Sequence, residues 1–290
     1  MRHPRVLGLA SLAIAAVGAV AFAQTTVAPL PDNAPVQIVP LEIDMTKTTW
    51  GNAEAGQSKA AVCAACHGVD GNPIDPQYPR LAGQTERYTA HQLALFASGQ
   101  RVTGLAAIMV PYAQALTPQD MRDVGAYFAS QDAGAGLADD TVIAAGGYEG
   151  MKFYEVGQQL YRKGDLARGI PSCMACHGPA GQGNPGPAYP QLAGQMQDYA
   201  ARRLQEYKEG VHSRKDPALF NIMHDVAKNL TDEEIQGLAT YLQGLHNRAD
   251  DAAASGTRPA AAPAPAPAAP ATTPAPAAPA PAAVGAPQQS

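Results

Sequence analysis

The chain has 290 residues, and its 20 Lys and Arg against 25 Asp and Glu give a formal net charge of −5. That acidic balance excludes nucleic acid as an expected partner and predicts attraction to a basic docking surface instead.

In chain order, residues 1–23 read as a secretory signal. Arg2 and Arg5 precede an apolar run from Val6 to Val20, and Ala21-Phe22-Ala23 forms an A-x-A cleavage site. The run is shorter than the roughly 20 residues of a bilayer span, so cleavage after Ala23 is expected rather than an uncleaved anchor. The mature chain then starts at Gln24 with 18 basic and 25 acidic residues, net −7. No later stretch is apolar for long enough to span a membrane. The expectation is an exported, periplasmic protein, soluble or peripherally attached. Residues 24–49 form an N-terminal extension.

The first unit, residues 50–133, opens on a short helix over Ala53–Val62 that leads into Cys63-Ala64-Ala65-Cys66-His67. The segment Tyr78-Pro79-Arg80-Leu81-Ala82-Gly83-Gln84 follows. A helix over Thr85–Ser98 carries Leu and aromatic residues at helical spacing. Ile108-Met109 reads as a loop. Thr117-Pro118-Gln119-Asp120 reads as a capping box with Pro at the first helical position, opening a helix over Pro118–Ser130. Residues 134–150, within a Gly/Ala/Asp-rich stretch, read as a linker.

The second unit, residues 151–248, repeats this plan. Its helix over Phe153–Arg162 precedes Cys173-Met174-Ala175-Cys176-His177. Tyr189-Pro190-Gln191-Leu192-Ala193-Gly194-Gln195, a helix over Met196–Glu209, Ile222-Met223 and the capping box Thr231-Asp232-Glu233-Glu234 come next, and that box opens a helix over Asp232–Leu245. From Cys63 and Cys173 onward the offset between matching positions drifts only from 110 to 114. No stretch shows the two-residue alternation of a sheet, so the fold class is all-α with two tandem units. Residues 249–290 are almost only Ala, Pro and small polar residues. Proline removes backbone donors, and alanine buries too little surface to offset chain entropy. This tail is expected to be disordered and partly polyproline II, a composition compatible with a spacer, a docking arm or a solubilising appendage.

The two C-x-x-C-H motifs carry the chemistry. This is the attachment signature of c-type haem. Each sulfur forms a thioether to a vinyl group, and the adjacent His reaches the iron. All four cysteines are consumed: Cys63 and Cys66 for one haem, Cys173 and Cys176 for the other. A thioredoxin-like pair needs no following His. A two-knuckle zinc site spaces its pairs by about 15–20 residues, whereas more than a hundred separate them here. Bacterial thioether formation takes place outside the cytoplasm, in agreement with the secretory signal.

A His-ligated haem iron is either open at its sixth position or closed by a protein ligand, and Met there raises the potential relative to His. Of eight methionines, only Met109 and Met223 coincide in the repeat. The metal ligands expected are therefore His67 and Met109, and His177 and Met223, against the alternative that both Met are core fillers. Met121 aligns with Ile235 on an apolar face and reads as core. His91 and His246 read as solvated, His212 as part of a charged loop, and His224 as a competitor of Met223 without a partner in the first unit. A ligand His donates its other ring N–H to a neighbouring acceptor; the carbonyls of Pro79 and Pro190 are candidates. Arg101 and Arg214 face either haem propionates or solvent.

Over roughly Gly51–Asn247 the sequence resembles cytochrome c4, the dihaem class I c-type cytochromes of bacterial periplasms. Both C-x-x-C-H-G motifs, both Tyr-Pro-x-Leu-Ala-Gly-Gln segments and both Met positions before a capped helix carry the resemblance. It implies two cytochrome c domains, His/Met ligation, and electron passage between the haems. It also implies a donor such as a quinol-oxidising complex or a dehydrogenase, and a terminal oxidase as acceptor. The alternatives are a dihaem subunit of a periplasmic dehydrogenase, for example a sulfide- or alcohol-oxidising one, and a dihaem enzyme, which the paired Met and the lack of a spare Cys disfavour.

Overall fold

The computed structural model describes residues 43–246. The secretory signal, most of the N-terminal extension and the Ala/Pro tail lie outside the described residues. Within them ten α-helices follow one another: α1 Ala53–Lys59, α2 Ala64–His67, α3 Glu86–Ala97, α4 Met109–Gln114, α5 Pro118–Ala129, α6 Phe153–Lys163, α7 Met174–His177, α8 Gln197–Glu209, α9 Ala218–Ala227 and α10 Asp232–Gly244. Among the described residues β structure is limited to isolated bridges, and no helix is long and apolar enough to cross a membrane.

Local chemistry sets the helix starts. The Asn52 side chain accepts from Ala55 N–H at 2.9 Å and caps α1. Thr117 and Asp120 exchange bonds at the start of α5, as Thr231 and Glu234 do at α10. Each box satisfies two backbone donors that the first turn leaves unpaired.

The amphipathic faces then pack in the same way twice. Helices α1 and α3 pack on α5, and α6 and α8 pack on α10. Gly56 and Gly157 permit the first-to-last crossings: a Cβ on Gly56 would stand 2.0 Å from the Asp123 carbonyl oxygen, and one on Gly157 2.0 Å from that of Gly237. Two separate cores result. Leu93, Phe96, Met121, Val124 and Phe128 build the first; Val156, Leu160, Tyr161, Ile235, Leu238 and Leu242 build the second. Met121 and Ile235 are buried in equivalent places, as their alignment predicts.

Three sequence expectations change. Met109 and Met223 are not in loops: Met109 opens α4 and Met223 lies inside α9. Pro111 falls in the first turn of α4, where proline is tolerated. Ile43 and Met45 of the extension pack against the first core. Ile143, within the stretch read as a linker, is 5 % exposed in the second core. Met45 has no partner in the repeat, so pattern matching alone could not place it.

Candidate functional site

Each attachment motif is one tight turn. A 3-10 turn over Ala60–Cys63 runs into α2, and Cys173 stands at the N-terminus of α7. Both turns stop at a glycine with positive φ, Gly68 at 78° and Gly178 at 79°. A Cβ on Gly68 would also sit 2.5 Å from the Asn72 carbonyl oxygen, so the glycine after the His is a steric requirement.

His67 and His177 are buried. Their Nδ1 atoms lie 3.0 Å from the Pro79 carbonyl oxygen and 2.9 Å from that of Pro190. A carbonyl can only accept, so Nδ1 carries the proton and Nε2 keeps the lone pair a metal needs. Burial lowers the pKa of both rings, and the carbonyl bond opposes it only in part. Both rings are thereby held neutral and oriented. Tyr78 and Tyr189 stand beside them, with ring centroids 6.0 and 6.1 Å away.

One continuous cavity of about 300 Å³ is lined from both units. Cys63, Cys66, His67, Pro79 and Met109 line one part, and Cys173, Cys176, His177, Pro190 and Met223 line the other. All ten sequence-predicted residues are thus on one wall system. Met45, Met121, Met151, Met174 and Met196 are not on it. Nor is His224, whose Nδ1 is engaged by the Tyr207 carbonyl at 2.8 Å. His91 departs from expectation: it is half-buried on the cavity wall, where burial pushes its pKa down and Arg214 and Arg87 push it further. His246 is exposed, as is His212 beside Phe220.

The wall also carries cations with unmet donors. Arg80 Nε and Nη1, Arg101 Nε, Arg203 Nη2 and the Thr89 hydroxyl are buried without a partner. A buried guanidinium donor left unpaired is costly, and carboxylates entering the cavity relieve that cost. Arg101 is 7 % exposed, so the solvated alternative fails for it. Arg203 is buried too; burial works against its charge, but Tyr207, Tyr199 and Glu206 outweigh that and raise its pKa. Sequence reading passed over Arg80 and Arg203. Arg203 aligns with Gln92, so the repeat hides it. Burial also raises the thiol pKa of Cys63, and that of Cys173 to about 11. Paired thiols, a neutral oriented imidazole, a thioether and unsatisfied cations, all twice over, fit a covalently attached iron porphyrin with its two acid side chains.

The family model described as cytochrome c matches residues 53–132 and 154–246. Cytochrome c4 of Pseudomonas aeruginosa is 40% identical over 200 residues, 68% of this chain and 90% of the relative. The crystal structure of reduced recombinant cytochrome c4 from Pseudomonas stutzeri superposes with a TM-score of 0.57 at 39% identity, covering 68% of this chain and 100% of that one. The thiosulfate dehydrogenase electron acceptor of Stutzerimonas stutzeri is 36% identical over 66% of this chain and 83% of the relative.

Proposed function

The chain belongs to the cytochrome c4 family, and on that premise we propose that it carries electrons between respiratory partners in the periplasm, with axial pairs His67/Met109 and His177/Met223. It is an electron-transfer protein with two covalently bound haem c groups, one per cytochrome c domain. When bound, each haem supplies an iron that cycles between ferrous and ferric states. Residues 50–133 and 151–248 are the proposed domains, and Ile143, ahead of the second, packs into its core.

The observation that carries this reading is the duplicated wall of one cavity. Cys63 and Cys66, and Cys173 and Cys176, supply the thioethers. His67 and His177 present Nε2 because Pro79 and Pro190 hold Nδ1. Met109 and Met223 line the same cavity and would offer the iron a soft thioether sulfur. Arg80, Arg101 and Arg203 offer their unmet N–H groups to the acid side chains. The acidic mature chain, net −7, is steered to a basic face of its partner. The donor is a quinol-oxidising complex or a dehydrogenase, and the acceptor a terminal oxidase.

A second partner assignment is favoured by the similar thiosulfate dehydrogenase electron acceptor: the same fold working as the acceptor of a sulfur-oxidising dehydrogenase. The test is stopped-flow oxidation of the reduced holoprotein by oxidase-containing membranes, beside its reduction by a thiosulfate dehydrogenase. Fast oxidation that slows with rising salt supports the respiratory route. Slow, salt-independent oxidation with fast reduction by the dehydrogenase supports the second.

A further inference from the structure

The two Tyr-Pro-x-Leu-Ala-Gly-Gln segments end in Gln84 and Gln195, buried at 5 % and 7 % exposure. Neither has a partner chosen within its own unit alone. The Gln195 side chain crosses to the first unit, where its Oε1 accepts from Arg80 N–H at 2.7 Å and its Nε2 donates to the Arg80 carbonyl at 3.1 Å. The Gln84 side chain does the reverse: its Oε1 accepts from Gln191 N–H at 2.9 Å and its Nε2 donates to the Gln191 carbonyl at 3.1 Å. Each Oε1 is also anchored at home, by Thr85 N–H at 3.0 Å and Met196 N–H at 2.9 Å.

The position of these clamps matters. The peptide between Pro79 and Arg80 has its carbonyl on His67 Nδ1 and its N–H on Gln195. The peptide between Pro190 and Gln191 has its carbonyl on His177 Nδ1 and its N–H on Gln84. A peptide that donates through its N–H becomes a better acceptor at its oxygen, because the bonds polarise one another. A better acceptor draws the imidazole proton outward and makes Nε2 more electron-donating.

We propose that Gln84 and Gln195 are reciprocal positioning residues, each tuning the axial histidine of the opposite domain through one shared peptide group. The inference rests on His67 and His177 being the iron ligands. It assigns the two domains a direct through-bond coupling: loosening the dock between them alters both ligand sets. Removing Gln195 weakens the acceptor for His67, destabilises the ferric state of the first haem and raises its potential. The second haem, in the domain to which Gln195 belongs, keeps its own chain through Gln84. The Arg80–Gln195 contacts are the more buried of the two, so the first haem responds more.

The test uses the full-length holoprotein and its Gln195→Met and Gln84→Met variants, close in volume but without the clamp. Proton NMR follows the ring Nδ1–H of each ligand His, assigned through contacts to Ala64 and Met174, and redox titration gives each haem's potential. Gln195→Met should displace the His67 signal and change the oxidised-to-reduced ratio of the first haem at fixed potential by about twofold, about 18 mV at 59 mV per tenfold. Gln84→Met should act on His177 and the second haem. Equal shifts of both haems in each variant, a shift in the resident domain, or no shift, overturns the proposal. Should the variants fail to fold, deuterium exchange of the Arg80 and Gln191 amides in the unaltered protein decides: slow exchange supports the clamps, and exchange at the rate of an open loop refutes them. Absence of the ligand-His proton signals in the unaltered protein refutes the ligand assignment itself, a separate failure.

Discussion

Glu234 offers a strong quantitative check on how the second unit is held. It is 1 % exposed in the first turn of α10. Its carboxylate takes a fork from Arg168, Nη2 to Oε1 at 2.5 Å and Nη1 to Oε2 at 3.1 Å, plus the Tyr148 hydroxyl and Thr231 N–H at 2.9 Å. Glu234 therefore ties the 148 loop and the turn at Asp165–Ile170 to α10. Glu234→Gln keeps the shape, removes the charge and turns one accepting oxygen into an NH2 donor that can no longer take the N–H groups of Arg168 and Thr231. A charge-assisted bond contributes about 1.5–3 kcal/mol and a neutral one about 0.5–1.5, so the Arg168 and Tyr148 bonds each lose about 1 kcal/mol. The cap on Thr231 loses up to about 1 kcal/mol. The Arg168 side chain is 36 % exposed, so its share is discounted for solvent screening, leaving about 2 kcal/mol. At 1.36 kcal/mol per tenfold, α10 amides should exchange with solvent about 30-fold faster. The repeat supplies an internal control: Asp120 holds the matching place in α5, paired with Lys59 at 2.5 Å but 23 % exposed. Asp120→Asn should cost about 1 kcal/mol or less, about fivefold in α5. Hydrogen exchange by mass spectrometry on both holoprotein variants measures this. A change under threefold in α10, or an equal effect from Asp120→Asn, refutes the reasoning.

Further outcomes follow from the same geometry. The denatured protein should weigh more than the mature chain by two haems and keep both through acetone extraction; one haem, or zinc in either site, sinks the attachment reading. Met109→Ala should open one haem to carbon monoxide and lower its potential while the other keeps its spectrum, with Met223→Ala doing the converse; an unchanged spectrum makes that Met a core residue only. The Lys59 hydrogen bond, then that of Thr117, holds the Asp120 carboxyl at about 2 against an ordinary 3.8. The folded value lies below the unfolded one, so its stabilisation is complete above the ordinary value and fades as pH falls from 3.8 toward 2. Acid titration of α5 exchange should show that slope, and Asp120→Asn should flatten it. Gly157→Val should disrupt the α6–α10 crossing and lower the thermal midpoint by several degrees, since Cβ would meet the Gly237 carbonyl; an unaltered midpoint shows that the helices slide apart freely.

The sequence by itself determined everything whose physics fits inside one turn of chain. C-x-x-C-H-G is such a feature, because two sulfurs, a ring and a left-handed glycine must succeed one another within six residues. The capping boxes at Thr117 and Thr231 are another, and so is the burial of Met121 and Ile235, which helical periodicity and the repeat specify together. The tertiary structure alone decided what depends on how distant segments dock. Arg203 is a buried cation on the cavity wall, one turn along α8 from Tyr199, where α8 meets Arg101 of the first unit. Met223 reaches that wall from α9, whose placement is set by its packing on α8. The clamps of Gln84 and Gln195 join residues 107 and 115 positions apart. No periodicity encodes such a pairing: a glutamine reads the same in solvent as in a buried clamp. Only the shape of the docked surfaces, which removes water from one peptide and leaves a single partner in reach, tells the two apart.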